Sequence, residues 1–284
     1  ILLLEGLFHE NELDLAQELH CDLVAHCDAQ VDWLERYADK VHKPLNVFLK
    51  MNTGMNRLGF KPENYRTVFH RLHAAGYRMH HMTHFANADQ VNQDPTVGSQ
   101  LEIFNQTTQG LEGSTSLANS AAILWHRNAL GDWVRPGIML YGASPTGLYA
   151  DIEHAHLKPV MQLRSEIIDI QDLRAGDRVG YGGRFTAPED MRIGIIACGY
   201  ADGYPRHAKD GTPVWVGNSA KSHHGTICPL VGRVSMDMLT IDLRNAPHAK
   251  IGSVVELWGS KVPVDEVARM SDTIGYELLC AVAP

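Results

Sequence analysis

The first half of the chain, from residue 1 to about residue 142, alternates short β-prone runs with amphipathic stretches long enough for a helix. The runs that are candidates for strands are residues 1–6, 21–26, 46–51, 78–85, 116–120 and 133–141. The spacing of apolar residues between them predicts helices over residues 11–19, 30–38, 62–75 and 99–110. Regular alternation of this kind is typical of parallel strands joined by helices, so this half is predicted to be α/β.

Two parallel architectures fit this alternation: a closed (β/α)₈ barrel and an open, doubly wound sheet. An open sheet that binds a dinucleotide carries a G-x-G-x-x-G turn, and residues 1–142 contain none. A closed barrel has eight strands, whereas six candidates are visible and the first begins at residue 1. We therefore predict a TIM-type barrel whose first two units are absent from this chain.

The second half changes in character after residue 142, where a Gly- and Pro-containing stretch is followed by short alternating runs separated by turns. The predicted strands are residues 161–170, 192–198, 213–216, 238–243 and 253–257, and a short helix is predicted over Val264–Met270 after Pro263. Short strands with turn signals between them indicate a mostly antiparallel β-domain. The predicted domains are residues 1–156, a partial barrel, and residues 157–284, the β-domain.

Composition excludes several classes of function. A net charge of −8 argues against a nucleic-acid partner, since such proteins usually present a basic face. The longest apolar runs, such as residues 193–198, are too short to cross a bilayer, so no membrane partner is expected. The five cysteines are scattered and form no C-x-x-C pair, which indicates neither a disulfide framework nor a thiolate zinc site. A reducing cytoplasm is the expected location.

Polar side chains stand at the ends of several predicted strands. Lys50 and Arg57 stand seven residues apart after one strand, and His84 ends the next. Because substrate groups in a parallel barrel come from the carboxyl ends of several strands, these segments are predicted to form an active face. The Ser120 hydroxyl and the N–H groups after Arg135 are candidates for a phosphate cup; a helix cap and a turn are the alternative.

Other motifs carry weaker signals. Tyr181 is flanked by glycines, which suits either an ordinary loop or an exposed phenol whose pKa is lowered by nearby cations. His80, His81 and His84 suggest a metal site, but alternate strand residues face opposite ways and no acidic residue stands at ligand spacing. No metal is therefore expected. Met236-Asp237 fits a turn between strands, and its spacing alone gives it no catalytic role.

Taken together, these segments resemble the alanine racemase family, and most closely its catabolic form in proteobacteria. The segments that carry the resemblance, in order along the chain, are residues 50–59, 84–86, 117–121, 135–142, 179–182, 199–203, 234–237 and 275–277. The resemblance implies a homodimer that uses pyridoxal 5'-phosphate to interconvert L-alanine and D-alanine, with sites shared between subunits. It also implies a (β/α)₈ barrel followed by a β-domain.

The family's cofactor-binding lysine lies in a Val-Val-Lys-Ala-Asn-Ala-Tyr-Gly-His-Gly motif on the first barrel strand. This motif does not occur in the chain. The sequence is therefore expected to be an N-terminally truncated form of a racemase, and residues 1–284 alone are expected to be inactive. Lys50 is the one local substitute to consider, but its match is to a different position of the family.

Residue roles follow from the resemblance. It makes Tyr181 the second catalytic base, acting in the partner subunit's site, and places Arg135 on the pyridine nitrogen with His84 bridging Arg135 and Tyr181. The implied cofactor-binding residues are Arg135, Ser120, Asn119, Gly137, Ile138 and Tyr276. The implied substrate-binding residues are Arg57, Met236 and Asp237, and Lys50 matches a lysine that relatives often carry as a carbamate. The implied substrate entrance consists of Tyr200, Arg206, Arg233 and Asp89.

Three readings of function remain open from the sequence. The first is an alanine racemase that supplies D-alanine for peptidoglycan or takes part in alanine catabolism. The second is an amino-acid racemase of broader specificity. The third is a noncatalytic relic of the pyridoxal-phosphate fold. Cofactor retention without formation of D-alanine would indicate the third.

Overall fold

The computed structural model describes residues 1–40, 45–217 and 224–283, and the chain divides into two compact units, Ile1–Gly137 and Ile138–Pro284. The strands of the first unit are β1 (Leu2–Leu3), β2 (Asp22–Ala25), β3 (Asn46–Lys50), β4 (Arg78–Met82) and β5 (Thr115–Ser116). Its helices are α1 (Glu12–Glu18), α2 (Asp28–Tyr37), α3 (Pro62–Ala74), α4 (Val97–Thr108) and α5 (Ser120–Trp125), with 3₁₀ turns at Ala38–Lys40 and Arg127–Ala129.

The five strands of the first unit form one sheet in the order β1-β2-β3-β4-β5, and every neighbouring pair is parallel. In α3, Pro62 occupies the first turn, where its missing N–H is not needed, and buried Tyr65, Val68, Phe69 and Leu72 recur at helical spacing. This stripe joins the core between sheet and helices. The predicted half-barrel of parallel strands is confirmed.

Two predictions for this unit were wrong in detail. Residues 133–141 form no strand: Trp133 makes one isolated bridge with Ser116, and Ile138–Tyr141 is a 3₁₀ turn. Pro136 lies between these two parts and has no N–H to give to a ladder. The strand predicted over residues 116–120 ends at Ser116, because Asn119 caps α5 instead of continuing the sheet.

The second unit is built from β6 (Leu163–Leu173), β7 (Arg178–Val179), β8 (Phe185–Thr186), β9 (Met191–Ile196), β10 (Pro213–Gly217), β11 (Gly225–Pro229), β12 (Leu239–Asp242) and β13 (Val254–Trp258). Two helices end it, α6 (Val264–Met270) and α7 (Gly275–Ala281), and 3₁₀ segments cover Ile138–Tyr141, Tyr149–Ala155, Tyr181–Gly183 and Tyr200–Asp202. No helix in the described ranges is long and apolar enough to cross a membrane.

Six strands of this unit form an antiparallel sheet in the order β11-β10-β13-β6-β9-β12, and β7 and β8 form a separate hairpin. The two outer strands also meet, because Leu230 bridges to Ile241 and the N–H of Val231 donates to the carbonyl of Thr240 (2.9 Å). This contact closes the sheet around a core that contains Trp258. The predicted antiparallel β-domain is confirmed, and α6 has the bounds expected; β7, β8, β11 and α7 were not predicted.

Candidate active site

Several sequence-predicted site residues lie along one edge of the parallel sheet, where its strands end. The register pairs Lys50, the last residue of β3, with Met82 at the end of β4, and pairs Met82 with Ser116 at the end of β5. His84 follows two residues after β4, and Asn119 lies between β5 and α5. The parallel sheet thus brings segments that are far apart in sequence to one edge, the edge that carries the chemistry in barrel enzymes.

Arg135 is the most constrained side chain at this edge. Its Nη1 donates to Ser116 Oγ (2.6 Å), and its Nη2 donates to the carbonyl oxygens of Thr83 (2.7 Å) and Leu117 (3.1 Å). The same Nη2 lies 3.2 Å from Nδ1 of His84. These contacts hold the plane of the guanidinium in one orientation. The sequence gives no sign that Thr83 and Leu117 bind Arg135. They do so through their backbone carbonyls, which accept a hydrogen bond whatever the side chain is.

The charges around this site are predominantly positive. Burial lowers the pKa of Arg135 to about 10. Burial, followed by the charges of Arg135, Arg57 and Lys50, lowers the pKa of His84 to about 4. The pKa of Lys50 is lowered by burial and then by Arg57 and Arg135, with Glu5 as the smallest and opposing influence. A partly buried cluster of this kind favours an anionic ligand.

The protonation of His84 follows from this environment. With a pKa of about 4 the imidazole is neutral at pH 7. Because Arg135 can only donate, Nδ1 of His84 accepts from Nη2, whose two N–H groups are shared among three acceptors, and the imidazole proton is assigned to Nε2. His84 is therefore poised to present an N–H on the side away from Arg135.

The candidate phosphate cup lies at the start of α5. Ser120 Oγ accepts from the N–H of Gly137 (2.8 Å), and Asn119 Oδ1 accepts from the N–H of Ala122 (3.0 Å) as the helix cap. The cap and turn of the alternative reading are thus present, and they place a hydroxyl and a glycine backbone side by side. The other two predicted members are in the second unit: Ile138 is buried in its core, and Tyr276 lies in the first turn of α7.

Tyr181 lies at the tip of the β7–β8 hairpin and is 74% exposed. The glycines around it, Gly180, Gly182 and Gly183, have φ values of 68°, 69° and 52°, a region that residues with a Cβ rarely enter. These three residues allow the hairpin to turn tightly enough to present the phenol. The glycine pattern in the sequence therefore has a geometric cause.

Arg184 anchors the loop that carries Tyr181, three residues after it and directly before β8, a role that sequence reasoning did not assign. Its guanidinium donates to the Asp210 carboxylate (2.9 Å from Nη2) and to the carbonyls of Ala208 and Gly232. Asp210 in turn accepts from the N–H of Gly232 (2.8 Å). Tyr181 is exposed, but the loop that carries it is tied at Arg184 to other loops of the second unit.

Two further loops of this unit hold predicted residues together. Tyr200 and Ala201 donate their N–H groups to the carbonyls of Ser235 (3.1 Å) and Met236 (2.9 Å). The guanidinium of Arg206 lies over the Tyr200 ring, 5.9 Å from its centroid. A cavity of about 570 Å³ opens beside these loops; it is lined by residues that include Tyr200, Arg206, Asp272, Thr273 and Glu277.

Arg233 links this group to the hairpin of Tyr181. A Cβ placed on Gly182 would lie 3.7 Å from the guanidinium carbon of Arg233. Asp237 follows Met236 on the same exposed loop. Tyr181, Tyr200, Arg206, Arg233 and Met236 thus belong to neighbouring loops of one unit.

The remaining predicted residue, Asp89, belongs to the first unit, where it lies between β4 and α4 and accepts from Gln90 (2.8 Å). The two histidines of β4, His80 and His81, have protein partners. His81 contacts the Tyr65 hydroxyl (2.8 Å), and His80 accepts from the N–H of Ser114 (3.2 Å). Within the described ranges no cluster of histidine, cysteine and acidic residues could hold a metal ion.

The donor set of the first unit fits a planar cofactor that carries a phosphate. A buried, oriented guanidinium suits a ring nitrogen or an oxygen acceptor, and the positive surroundings suit an anion. A serine hydroxyl beside a glycine backbone is the usual kind of phosphate contact. These groups could hold pyridoxal phosphate.

Comparisons with known proteins agree with this arrangement. Residues 1–145 match the family model for the N-terminal domain of alanine racemase, and residues 160–284 match the model for its C-terminal domain. The alanine racemase of Ralstonia nicotianae is 50% identical over 100% of this chain and 74% of its own length. That of Cupriavidus necator is 51% identical over the same shares.

Solved structures are similar as well. The biosynthetic alanine racemase of Pseudomonas aeruginosa has a TM-score of 0.91 and 45% identity, covering 100% of this chain and 76% of its own. The alanine racemase of E. faecalis has a TM-score of 0.84 and 30% identity over 100% and 76%. The alanine racemase of Bartonella henselae, solved with covalently bound pyridoxal phosphate, has a TM-score of 0.84 and 25% identity over 100% and 77%.

Proposed function

Because the chain belongs to the alanine racemase family, we propose that it interconverts L-alanine and D-alanine with pyridoxal 5'-phosphate as its cofactor. The observation that carries the proposal is Arg135, a partly buried guanidinium held at the carboxyl edge of a parallel sheet by Ser116, Thr83 and Leu117. These hydrogen bonds tie together the segments at the ends of β4 and β5 and fix the orientation of the guanidinium, which suits a ligand with a complementary acceptor.

The cofactor, when bound, draws electrons away from the α-carbon of the substrate and so weakens its bond to hydrogen. We assign Arg135 to its ring nitrogen. A pKa of about 10 leaves the guanidinium protonated at pH 7, so Arg135 donates a hydrogen bond and does not transfer a proton. By leaving the ring nitrogen unprotonated, Arg135 would make a bound cofactor a weaker electron acceptor and would so favour prompt return of the proton to the α-carbon.

The phosphate is assigned to Ser120, Asn119, Gly137, Ile138 and Tyr276. The close pair of Ser120 Oγ and the Gly137 N–H supports the first part of this assignment. The positive charges around His84 and Lys50 favour the binding of a negatively charged phosphate. The resemblance alone supports the assignment of Ile138 and Tyr276.

Tyr181 is proposed as the base that removes or returns the α-proton on one face of the substrate. Its exposure of 74% and the three glycines around it support a role outside the fold's own core. Inversion at the α-carbon needs a second base on the opposite face. The resemblance gives that role to a lysine whose motif does not occur among residues 1–284.

The substrate carboxylate is assigned to Arg57 and to the loop of Met236 and Asp237. Lys50 is proposed to react with CO₂: its neutral amine forms an N–C bond, loses a proton and becomes a carbamate anion. A lowered pKa supports this, because it increases the neutral amine, and the two neighbouring arginines would stabilise the anion. An anion here would hold Arg57 by a charge-assisted pair.

We propose a homodimer in which Tyr181, Met236 and Asp237 serve the partner subunit's site. Tyr200, Arg206, Arg233 and Asp89 are assigned to the substrate entrance. The proposed domains are residues 1–156 and 157–284. A cytoplasmic location is proposed because the cysteines are free thiols, three of them buried.

The proposal is tested by incubating the purified protein with pyridoxal phosphate, reducing it with borohydride, and measuring the intact mass and the sequence of the modified peptide. Formation of D-alanine is measured on the unreduced protein. Residues 1–284 alone are expected to form neither a lysine adduct nor D-alanine, whereas a protein that also carries the family's lysine motif is expected to racemise alanine and to carry the adduct on that lysine. An adduct on Lys50 would overturn the role given to that residue, and an adduct without D-alanine would overturn the racemase assignment.

Substrate breadth is measured by comparing kcat/KM for L-alanine and L-serine. We expect a preference for alanine. Equal values would mean a racemase of broader specificity.

A further inference from the structure

A fully buried glutamine on α4, Gln100, joins the segments that follow β3 and β4. Its Nε2 donates to Thr53 Oγ1 (2.9 Å) and to the carbonyl of His84 (3.2 Å). Its Oε1 accepts from the N–H of Ala86 (2.9 Å). Both amide protons and the amide oxygen are thus satisfied, although the side chain has an exposure of 0%.

The contact with Thr53 continues into a directed chain of hydrogen bonds. Thr53 Oγ1 and Thr83 Oγ1 are 2.7 Å apart, and Thr83 Oγ1 donates to the carbonyl of Met51 (3.0 Å). Since the single hydroxyl proton of Thr83 is used on Met51, the proton between the two threonines belongs to Thr53. The direction is therefore Gln100 to Thr53 to Thr83 to Met51, and each group in it is satisfied.

This series of hydrogen bonds passes beside the cationic site of Arg135 and His84. The carbonyl of Thr83 accepts from Arg135 Nη2 (2.7 Å), and the next residue, His84, lies 3.2 Å from the same nitrogen. Gln100 also holds the backbone on the far side of His84, through its carbonyl and the N–H of Ala86. The backbone from residue 83 to residue 86 is therefore fixed at three points by one side chain and its relay.

We propose that Gln100 is a positioning residue for the active site, which acts through the relay Gln100–Thr53–Thr83 to hold Arg135 and His84 in contact. This inference rests on the proposed function, since it gives Arg135 and His84 their task. Gln100 touches neither of their side chains. It also ties the segment that leads to Arg57 to the segment of His84, because Thr53 belongs to the first and Thr83 to the second.

The chain offers a matched control in Gln30 on α2. Gln30 is also buried, with 6% exposure, and its Nε2 donates to the carbonyls of Glu5 (3.0 Å) and Leu7 (3.1 Å). Its Oε1 accepts from the N–H of His26 (2.9 Å). Gln30→Leu therefore removes the same kinds of hydrogen bonds, here to the backbone of Glu5, Leu7 and His26, and leaves the relay of Gln100 intact.

The first test does not depend on the cofactor. The imidazole of His84 is titrated by NMR in the wild-type protein, Gln100→Leu, Thr53→Val and Gln30→Leu. Burial lowers the pKa of His84 most, and the charged groups that face it are Arg135, Arg57 and Lys50, the last as a cation only while its amine carries no carbamate. We expect the pKa of His84 to rise in Gln100→Leu and Thr53→Val, because Arg135 is no longer held against the ring and water can enter. Gln30→Leu is expected to leave it unchanged.

The second test uses the holoenzyme. We expect kcat for racemisation of alanine to fall about ten- to a hundredfold in Gln100→Leu and Thr53→Val, because misplacement of a reacting group by a fraction of an ångström is costly to rate. KM is expected to change less. In Gln30→Leu we expect kcat to change less than twofold at a similar loss of thermal stability.

Thr53→Val keeps the shape of the side chain, so the test stands even if Gln100→Leu fails to fold. An unchanged His84 pKa in Thr53→Val, or equal losses of kcat in Thr53→Val and Gln30→Leu, would overturn the proposal. If the wild-type protein forms a lysine adduct with pyridoxal phosphate but racemises no alanine, the proposed function fails, whereas the His84 titration still decides whether the relay holds Arg135.

Discussion

The two units of the chain prepare their proposed functional groups in opposite ways. In the first unit, Arg135 and His84 are partly buried, hydrogen-bonded and shifted in pKa by their surroundings. In the second unit, Tyr181 stands 74% exposed on a glycine-rich hairpin tip. Arg135 and His84 are fixed by many contacts, whereas Tyr181 is presented on a loop that Arg184 anchors.

This difference reflects the tasks proposed for the two sets. A group that holds a ring or an anion gains most from a fixed orientation and a low dielectric, which only buried neighbours supply. A group that exchanges a proton with a substrate must keep its proton-transferring atom accessible, so that atom cannot be buried against other side chains. Changes of Arg135 and His84 should therefore affect stability and activity together, whereas a change of Tyr181 should affect activity alone.

The largest effect is expected for Tyr181→Phe, which removes the phenolic oxygen from an exposed tip. We expect kcat to fall about a thousandfold, because a general base contributes on the order of 10²–10⁴ to rate. The free energy of unfolding should change by less than about 0.5 kcal/mol, since the hydroxyl is not buried. Steady-state racemisation and urea unfolding measure the two quantities. Tyr149→Phe is the control, and similar rates for the two variants would remove Tyr181 from the mechanism.

Arg135→Lys should lower both the rate of racemisation and the free energy of unfolding. Lysine keeps the charge but has no planar fork, so Ser116 Oγ and the carbonyls of Thr83 and Leu117 cannot all be satisfied. We expect kcat/KM to fall about a hundredfold and the free energy of unfolding to fall by about 2 kcal/mol. The same two assays measure this. A loss of activity at unchanged stability would mean that the fork is not needed by the fold.

Acidification should destabilise the first unit through His84. Its pKa is about 4 in the fold against an ordinary value of 6.5, so the unfolded chain binds more protons between these values. Stability is then fully present above pH 6.5 and is lost as the pH falls towards 4, by about 3 kcal/mol from this residue. Hydrogen exchange of α4 and β4 at pH 7 and pH 5 measures the effect. In His84→Gln the dependence should shrink, and an unchanged dependence would point to other groups.

Asp265 in the second unit should act in the opposite direction. It is 1% exposed, and burial raises its pKa from 3.8 to about 6, against weaker opposing hydrogen bonds. The fold therefore binds more protons than the unfolded chain between pH 4 and 6, and this contribution to stability is lost as the pH rises through 6. Asp265→Asn keeps an acceptor for the N–H of Ser144 and should stabilise the second unit at pH 7 by about 2 kcal/mol. Hydrogen exchange of α6 is the measurement, and a destabilised variant would show that the charge has an unseen partner.

Sequence patterns predicted those parts of the fold whose cause is local. The apolar stripe of α3 and the start of α6 after Pro263 can be read from neighbouring residues, and both helices formed where expected. The position of Lys50 at a strand end likewise follows from the apolar run before it. The site residues came mainly from the family resemblance, since a lone arginine such as Arg135 has no local signature.

The tertiary structure decided what depends on contacts between distant segments. The sequence alone determined the alternation of strands and helices, the antiparallel second half and the family to which the chain belongs, because these follow from periodicity, turn residues and motifs. Only the folded chain placed Arg135 against residues 19 and 52 positions away, through Ser116 and Thr83, and buried Gln100 between two loops. It also replaced the strand predicted over residues 133–141 by a turn. Backbone carbonyls, burial and pKa shifts arise from neighbours in space, and no local pattern records them.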